Sequence, residues 1–289
     1  MVLYVIKITY TGERIMGKKS LDLVNDILSY NPKRGEAAFW WIGQLGYIVK
    51  TASVTLSFDA YLDPNKRRTV EPLLSPGEMT FVDFVFGSHD HSDHIDHYAW
   101  PGIAEASPNA RFVIPVKFTD KLSAEFGIPK SRFVGLDDGG TFGDEGIPGF
   151  RIAAIASAHE FLAPDPATGL HDSLGYIVDA DGLRLYHSGD TCKYEGLETK
   201  LLQSRPIDLM FLPINGRDAV RYTSRCIGNM SFAEAVDLAG AVAPGLAVPG
   251  HYEMFTNNSE DPKKFTDYLA AKYPGQKTWV GEHGTRVEI

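Results

Sequence analysis

The chain has 289 residues, 44% hydrophobic and 22% charged, with a formal net charge of −9 at pH 7 and a pI near 5.5. That acidic balance excludes an extended electrostatic footprint for DNA or RNA, and no apolar run approaches the roughly 18–20 residues that span a bilayer. Two cysteines, Cys192 and Cys226, are too few for a disulfide framework, and the opening MVLYVIKITYTGER has no basic leader or small-residue cleavage site, so a cytoplasmic protein without membrane or nucleic-acid partners is expected. No repeat, low-complexity tract or Ser/Gly-rich linker breaks the chain, and residues 1–289 read as a single domain.

Along the chain, Leu21, Val24, Ile27 and Leu28 recur at helical spacing over residues 18–30, and Asn31-Pro32 stops the pattern. Ala38 to Ile42 and Tyr47 to Lys50, joined by Gly43-Gln44-Leu45-Gly46, predict a hairpin, followed by a strand from Val54 to Asp59. Phe81 to Phe86 is an almost wholly apolar run of the buried-strand type. Thr119 to Phe126 predicts a helix stopped by Gly127. Arg151 to Ala156 is another strand, and Tyr176–Val178 and Leu183–Tyr186 flank an Asp181-Gly182 hairpin turn. Ser231-Phe-Ala-Glu234 is a capping box opening a helix to about Ala241. Asp261-Pro262 caps a further helix, Lys263 to Lys272. Several hairpins mixed with surface helices predict two packed sheets covered by helices. A dinucleotide-binding sheet is excluded because no Gly-x-Gly-x-x-Gly follows a strand.

Directly after Phe81–Phe86, residues 87–97 read Gly-Ser-His-Asp-His-Ser-Asp-His-Ile-Asp-His. His89, His91, Asp93 and His94 fall within six positions, although the whole chain holds nine histidines. A polar surface loop is the plain alternative. On an extended segment, side chains two apart share a side, so His89 and His91 can grip one cation. A turn into a helix would swing Asp93 and His94 toward a second position. Imidazoles plus a carboxylate suit zinc, manganese or iron. A two-metal site needs more ligands, and three occur where apolar strands end: His159, Asp190 and His251. Each alone would carry little weight; their order behind the cluster raises them.

His-x-His-x-Asp-His, then His159, Ser188-Gly189-Asp190-Thr191 and Gly250-His251 together resemble the metallo-β-lactamase superfamily, from Trp40 to the C-terminus. The resemblance implies an α/β, four-layer αβ/βα sandwich: two mixed sheets flanked by helices, with the site along the sheet edges. It implies two divalent metal ions, the first held by His89, His91 and His159, the second by Asp93, His94 and His251, with Asp190 bridging. Asp59 would orient a ligand histidine. Phe39-Trp40-Trp41-Ile42-Gly43, Ser88 to Asp96, Leu185 to Asp190 and His251-Tyr252-Glu253-Met254-Phe255 look like the L-ascorbate-6-phosphate lactonase branch, which implies a homo-oligomer.

The expected chemistry is hydrolysis. Two cations sharing a bridging water would lower its pKa toward neutrality and supply hydroxide, with Asp93 orienting it and carrying a proton to the leaving oxygen. The expected substrate is a small phosphorylated sugar-derived lactone. After the strand Leu209–Leu212, Asn215, Arg217, Arg221 and Arg225 could clamp its phosphate or carboxylate; the competing reading is a structural loop with arginines paired to acidic neighbours. A phosphodiesterase or nuclease, a thioester hydrolase and a non-catalytic binding module remain as alternatives. A flavo-diiron reductase is disfavoured, since His91 would then be glutamate. Cys192 is expected to be an inert thiol, His97 and Asp96 to make contacts behind the ligands or at the surface, His171 and His283 to sit in loops as bystanders or at the substrate mouth, and Trp40-Trp41 to pack.

Overall fold

Alternate side chains of the first hairpin strand enter two different cores. Phe39 and Trp41 join one apolar cluster, whereas Ala38, Trp40 and Ile42 join another. This is the period-two geometry of a strand buried on both faces. In the computed structural model, which describes residues 20–289, the first sheet contains β1 (Ala38–Gly43), β2 (Gly46–Lys50), β3 (Thr55–Phe58), β4 (Phe84–Phe86), β5 (Arg111–Pro115) and β6 (Phe133–Leu136). The second contains β7 (Thr141–Gly143), β8 (Arg151–Ala156), β9 (Leu174–Ala180), β10 (Leu183–His187), β11 (Leu209–Pro213) and β12 (Leu246–Gly250). A last strand, β13 (Arg286–Glu288), returns to pair antiparallel with β1. The sheet orders are β13-β1-β2-β3-β4-β5-β6 and β12-β11-β10-β9-β8-β7.

Both sheets are mixed. Strands β3 to β6 run parallel in the first, and β10 to β12 run parallel in the second. Aromatic rings lock the two sheets face to face: Tyr47 stacks on Phe211 with ring centroids 3.9 Å apart, and Phe58 stacks on His187 at 5.0 Å. Helices α1 (Ser20–Ser29), α2 (Trp100–Ala106) and α3 (Thr119–Phe126) cover the outer face of the first sheet through Leu23, Ile27, Ile103 and Leu122. On the second sheet lie α4 (Leu197–Gln203), α6 (Phe232–Val242) and α7 (Pro262–Lys272), which contribute Leu201, Leu238 and Leu269 to the core. The short α5 (Ala219–Thr223) sits in the loop after β11. The result is the four-layer αβ/βα sandwich implied by the motifs.

Local signals account for the helix ends. Ser231 and Glu234 form a reciprocal capping box at α6. Asp261 caps α7, and Gly127, at φ 66°, ends α3. The face of α1 needs correction: Leu21 and Leu28 are 67% and 51% exposed, while Leu23 and Ile27 are fully buried. The winning face is the one that brings Asp26 to Trp40, whose Nε1 donates to Asp26 Oδ2 at 2.8 Å. Residues 18–19 of that expected helix lie outside the described residues. No helix among the described residues is long and apolar enough to cross a membrane.

The loops after β4 and β10 approach so closely that Gly189, at φ 57°, has no room for a side chain. A Cβ there would fall 2.6 Å from Ser88 Cβ and 2.7 Å from Leu174 O. Gly189→Ala should therefore cost more than about 2 kcal/mol, combining left-handed strain with overpacking. Urea unfolding checks this, and an unchanged midpoint would contradict the close approach.

Candidate metal centre

The parallel strands β3 and β4 end side by side, so Asp59 and Ser88, each just beyond its strand, meet. Asp59 adopts φ 40°, and its buried carboxylate accepts from Ser88 N at 2.8 Å and from Ser88 Oγ at 2.6 Å. Oδ2 also accepts from His94 Nδ1 at 2.7 Å. With its proton given to Asp59, the Ser88 hydroxyl is left to accept from His89 Nδ1, 2.9 Å away. One carboxylate thus orients two imidazoles through their Nδ1 atoms and leaves both Nε2 atoms facing a ligand position.

Residues 88–91 are bends rather than the expected extension of β4, and the helix begins only at Trp100. His91 O accepts from His94 N at 3.0 Å and from Ile95 N at 2.9 Å, and this tight turn carries Asp93 and His94 to the far side of His89. From the second sheet come His159 after β8, Asp190 after β10 and His251 after β12. His251 holds φ 57°, and its N–H donates to Gln44 O at 2.9 Å. Such left-handed non-glycine residues cost of order 1 kcal/mol or more and cluster at functional sites.

Among the described residues, three groups of three donors form, the ligand atoms of each within 4.8 Å of one another: His89, His91 and His159; His89, His94 and Asp190; Asp93, His94 and His251. Every group draws on both sheets, and the Asp190 group shares one histidine with each of the other two. The nitrogens of His89 and His91 lie 2.9 Å apart, and those of His91 and His159 lie 3.3 Å apart. Ligands at the zinc–nitrogen distance of about 2.0–2.1 Å in a tetrahedron are separated by about 3.3 Å, so the donors have the right spread. Asp190 Oδ2 lies 3.1 Å from His251 Nε2 and 3.4 Å from His94 Nε2. His94 Nε2 and Asp190 Oδ1 are buried without a hydrogen-bond partner, an expensive arrangement unless something binds them. The residues fit divalent cations.

Electrostatics divide the imidazoles. Burial works to depress His94, but the Asp190, Asp93 and Asp59 carboxylates outweigh it and hold His94 well above the ordinary histidine value. Burial, then the neighbouring imidazoles of His94, His159 and His91, push His89 well below it. Burial also takes His159 down to about 4. Asp190 would be raised by burial, yet His251 and His94 keep it well below the usual carboxylate range.

Three contributors lie outside the expected set. Gln44, fully buried in the β1–β2 turn, donates Nε2 to Asp93 Oδ2 at 2.7 Å and faces His251 Nε2 at 3.2 Å. Ser88 couples Asp59 to His89, and Asn229 receives His159 Nδ1 at 3.0 Å. Serine beside the cluster was a readable cue; nothing local marks Gln44 or Asn229.

The expected anion clamp has other commitments. Asn215 is fully buried between Asn229 and Asn258. Arg217 forks onto Glu234, both bonds 2.8 Å, and donates to Asn229 O. Arg221 pairs with Asp218 and with Ser259 O, while Arg225 is exposed. Among the other residues, Cys192 is buried, and that burial pushes its thiol up. His97 bridges Asp90 and Glu125, and Asp96 accepts from four backbone N–H groups. His171 pairs with Asp137. His283 stacks on Trp41 at 3.9 Å and reaches Glu253.

Comparison with known proteins agrees with this architecture. Residues 55–252 match the family model described as "Beta-lactamase superfamily domain". A "UPF0173 metal-dependent hydrolase" from Opitutus terrae is 27% identical over 252 residues, covering 86% of this chain and 98% of the relative. Another so named from Archaeoglobus fulgidus is 27% identical, covering 80% of this chain and 90% of that one. The solved structure of a metallo hydrolase from Ignicoccus hospitalis shares the fold with a TM-score of 0.69 at 22% identity, over 88% of this chain and 98% of its own.

Two measurements test the geometry. Asp59→Ala should weaken zinc binding about 10- to 100-fold in a chelator competition, with parental affinity counting against the hub. In metal-free protein, nitrogen-15 NMR at pH 7 should find His94 protonated, its pKa being raised, and His89 neutral, its pKa being lowered.

Proposed function

The chain belongs to the beta-lactamase superfamily and is a metal-dependent hydrolase of that fold, and from that premise we propose that it uses two divalent cations, zinc or manganese, to open a small lactone. The observation that carries this reading is the joining of two donor triads through Asp190, which shares a group with His89 of one and His94 of the other. His89, His91 and His159 would hold one cation, and Asp93, His94 and His251 the other. Cations there supply Lewis acidity toward a carbonyl oxygen and activate water near neutral pH.

The chain's own groups do the rest. Gln44 holds Asp93 through Oδ2, so Asp93 Oδ1 is the atom that takes a proton from the attacking water and returns it to the leaving oxygen. The neighbouring imidazoles His94 and His251 overcome burial and keep Asp93 below the usual carboxylate range, hence ionised at pH 7. No serine or cysteine nucleophile is needed: Ser88 is occupied between Asp59 and His89, and Cys192 Sγ faces Gly228 O.

Phe161 and Leu162 lie two and three residues after His159, with Glu160 between, and are 75% and 42% exposed, so apolar and acidic groups stand beside the first triad. That favours a substrate with an apolar or uncharged ring over a polyanion, as does the net charge of −9. A phosphorylated sugar lactone would be recognised through Arg225, or through Arg217 and Arg221 after their ion pairs open.

A hydrolysis screen of lactones, phosphodiesters and thioesters with added zinc or manganese tests the reading. Lactone turnover should collapse in Asp190→Ala. Asp93→Asn should lose about 10²- to 10⁴-fold in kcat while still binding metal; full turnover in that variant would remove the proton-transfer role.

A further inference from the structure

The loop that leaves β11 at Asn215 returns at Asn229, and the side chains of these two residues close it. Asn229 Nδ2 donates to Asn215 Oδ1 at 3.1 Å. Asn215 Nδ2 donates to Asn258 Oδ1 at 2.9 Å. At the inner end, His159 Nδ1 meets Asn229 Oδ1 at 3.0 Å. Three primary amides therefore run head to tail from the half-buried Asn258 to an imidazole of the metal centre, and Asn215 and Asn229 are wholly buried.

An amide offers a donor at one end and an acceptor at the other. In a buried row each amide can be satisfied only if its neighbours point the same way, so the row has two self-consistent directions. In the direction described, every oxygen faces inward along the row: Asn258 Oδ1 accepts from Asn215, Asn215 Oδ1 from Asn229, and Asn229 Oδ1 faces His159, so His159 must carry its proton on Nδ1. Its Nε2, 3.3 Å from His91 Nδ1 and 3.8 Å from Asp190 Oδ2, is then a bare lone pair. In the reversed direction Asn229 Nδ2 would donate to His159 Nδ1 and place the proton on Nε2, where it would point at His91 and exclude a cation.

We propose that the Asn258–Asn215–Asn229 row is a positioning device that selects the cation-binding tautomer of His159, so that a residue at the protein surface sets the donor state of a buried imidazole. This rests on the reading of His159 as a ligand. Arg217 belongs to the same device: it donates to Asn229 O at 2.9 Å while forked onto Glu234, and so fixes the backbone that presents the inner amide. Uncharged amides suit this position. A carboxylate at Asn229 would also accept from His159, but it would add a negative charge to a site that already holds Asp93 and Asp190.

Zinc(II) titrations against a competing chelator, paired with nitrogen-15 NMR of His159 in metal-free protein, test the device. The parent should show the Nδ1–H tautomer. Asn229→Leu, which cannot accept, should lose that tautomer and bind the more weakly held zinc about 10- to 100-fold less well. Asn229→Asp restores an acceptor and should recover most of both, which a purely structural defect would not. Asn258→Asp, at the accessible end, can only accept; it pins the described direction and should hold or raise zinc affinity without endangering the fold. Parental affinity and tautomer in Asn229→Leu, or no recovery in Asn229→Asp, would overturn the proposal and leave the metal-site reading standing. A parent that binds no zinc overturns both.

Discussion

Everything at the centre depends on a single buried carboxylate shared by two strand ends. Asp59 sits where β3 stops, and its three hydrogen bonds go to Ser88 and His94, just beyond β4. Parallel pairing of these strands, with Phe58 opposite Phe86, makes that meeting unavoidable. Asp59, Ser88 and His94 are all fully buried, so bulk water does not reach the carboxylate's partners. Loss of the carboxylate would leave a serine hydroxyl, a backbone N–H and an imidazole N–H buried without an acceptor, each costing about 1–3 kcal/mol.

From this hub the centre is assembled by opposition. The first sheet supplies the crowded turn bearing His89, His91, Asp93 and His94; the second supplies one donor from each of three separate loops. The crowding explains the split in proton affinity. His94 is ringed by Asp59, Asp93 and Asp190, whereas His89 faces mostly other imidazoles. Gln44 spans the boundary, since its amide touches Asp93 from the first sheet and His251 from the second.

The donors themselves were legible because each stands where an apolar run ends, a local pattern that a single sequence displays. Asp190 follows Leu183–His187, and His251 follows Leu246–Gly250. What holds the donors was not legible. Gln44 reaches Asp93 across 49 residues and His251 across 207, and Asn229 meets His159 across 70. No periodicity encodes such pairings. The arginines of the loop after β11 invited an anion-binding reading because charge shows in the sequence while its counter-charge, Glu234 on a later helix, shows only in three dimensions. The same limit misassigned part of the apolar face of α1: Leu21 and Leu28 fit a helical stripe, but Leu23 and Ile27 turn inward, on the face from which Asp26 reaches Trp40.

Since every donor group takes members from both sheets, a bound ion would be a crosslink between the halves of the sandwich. Affinity and conformational stability are then coupled: free cation at a hundred times its dissociation constant adds about 2.7 kcal/mol to the unfolding free energy. Thermal melting would rise with cation concentration and fall in chelator, and the sheets would separate most readily at the edge bearing the loops after β4, β10 and β12. Scarcity of metal would thus shorten the lifetime of the folded chain as well as silence it.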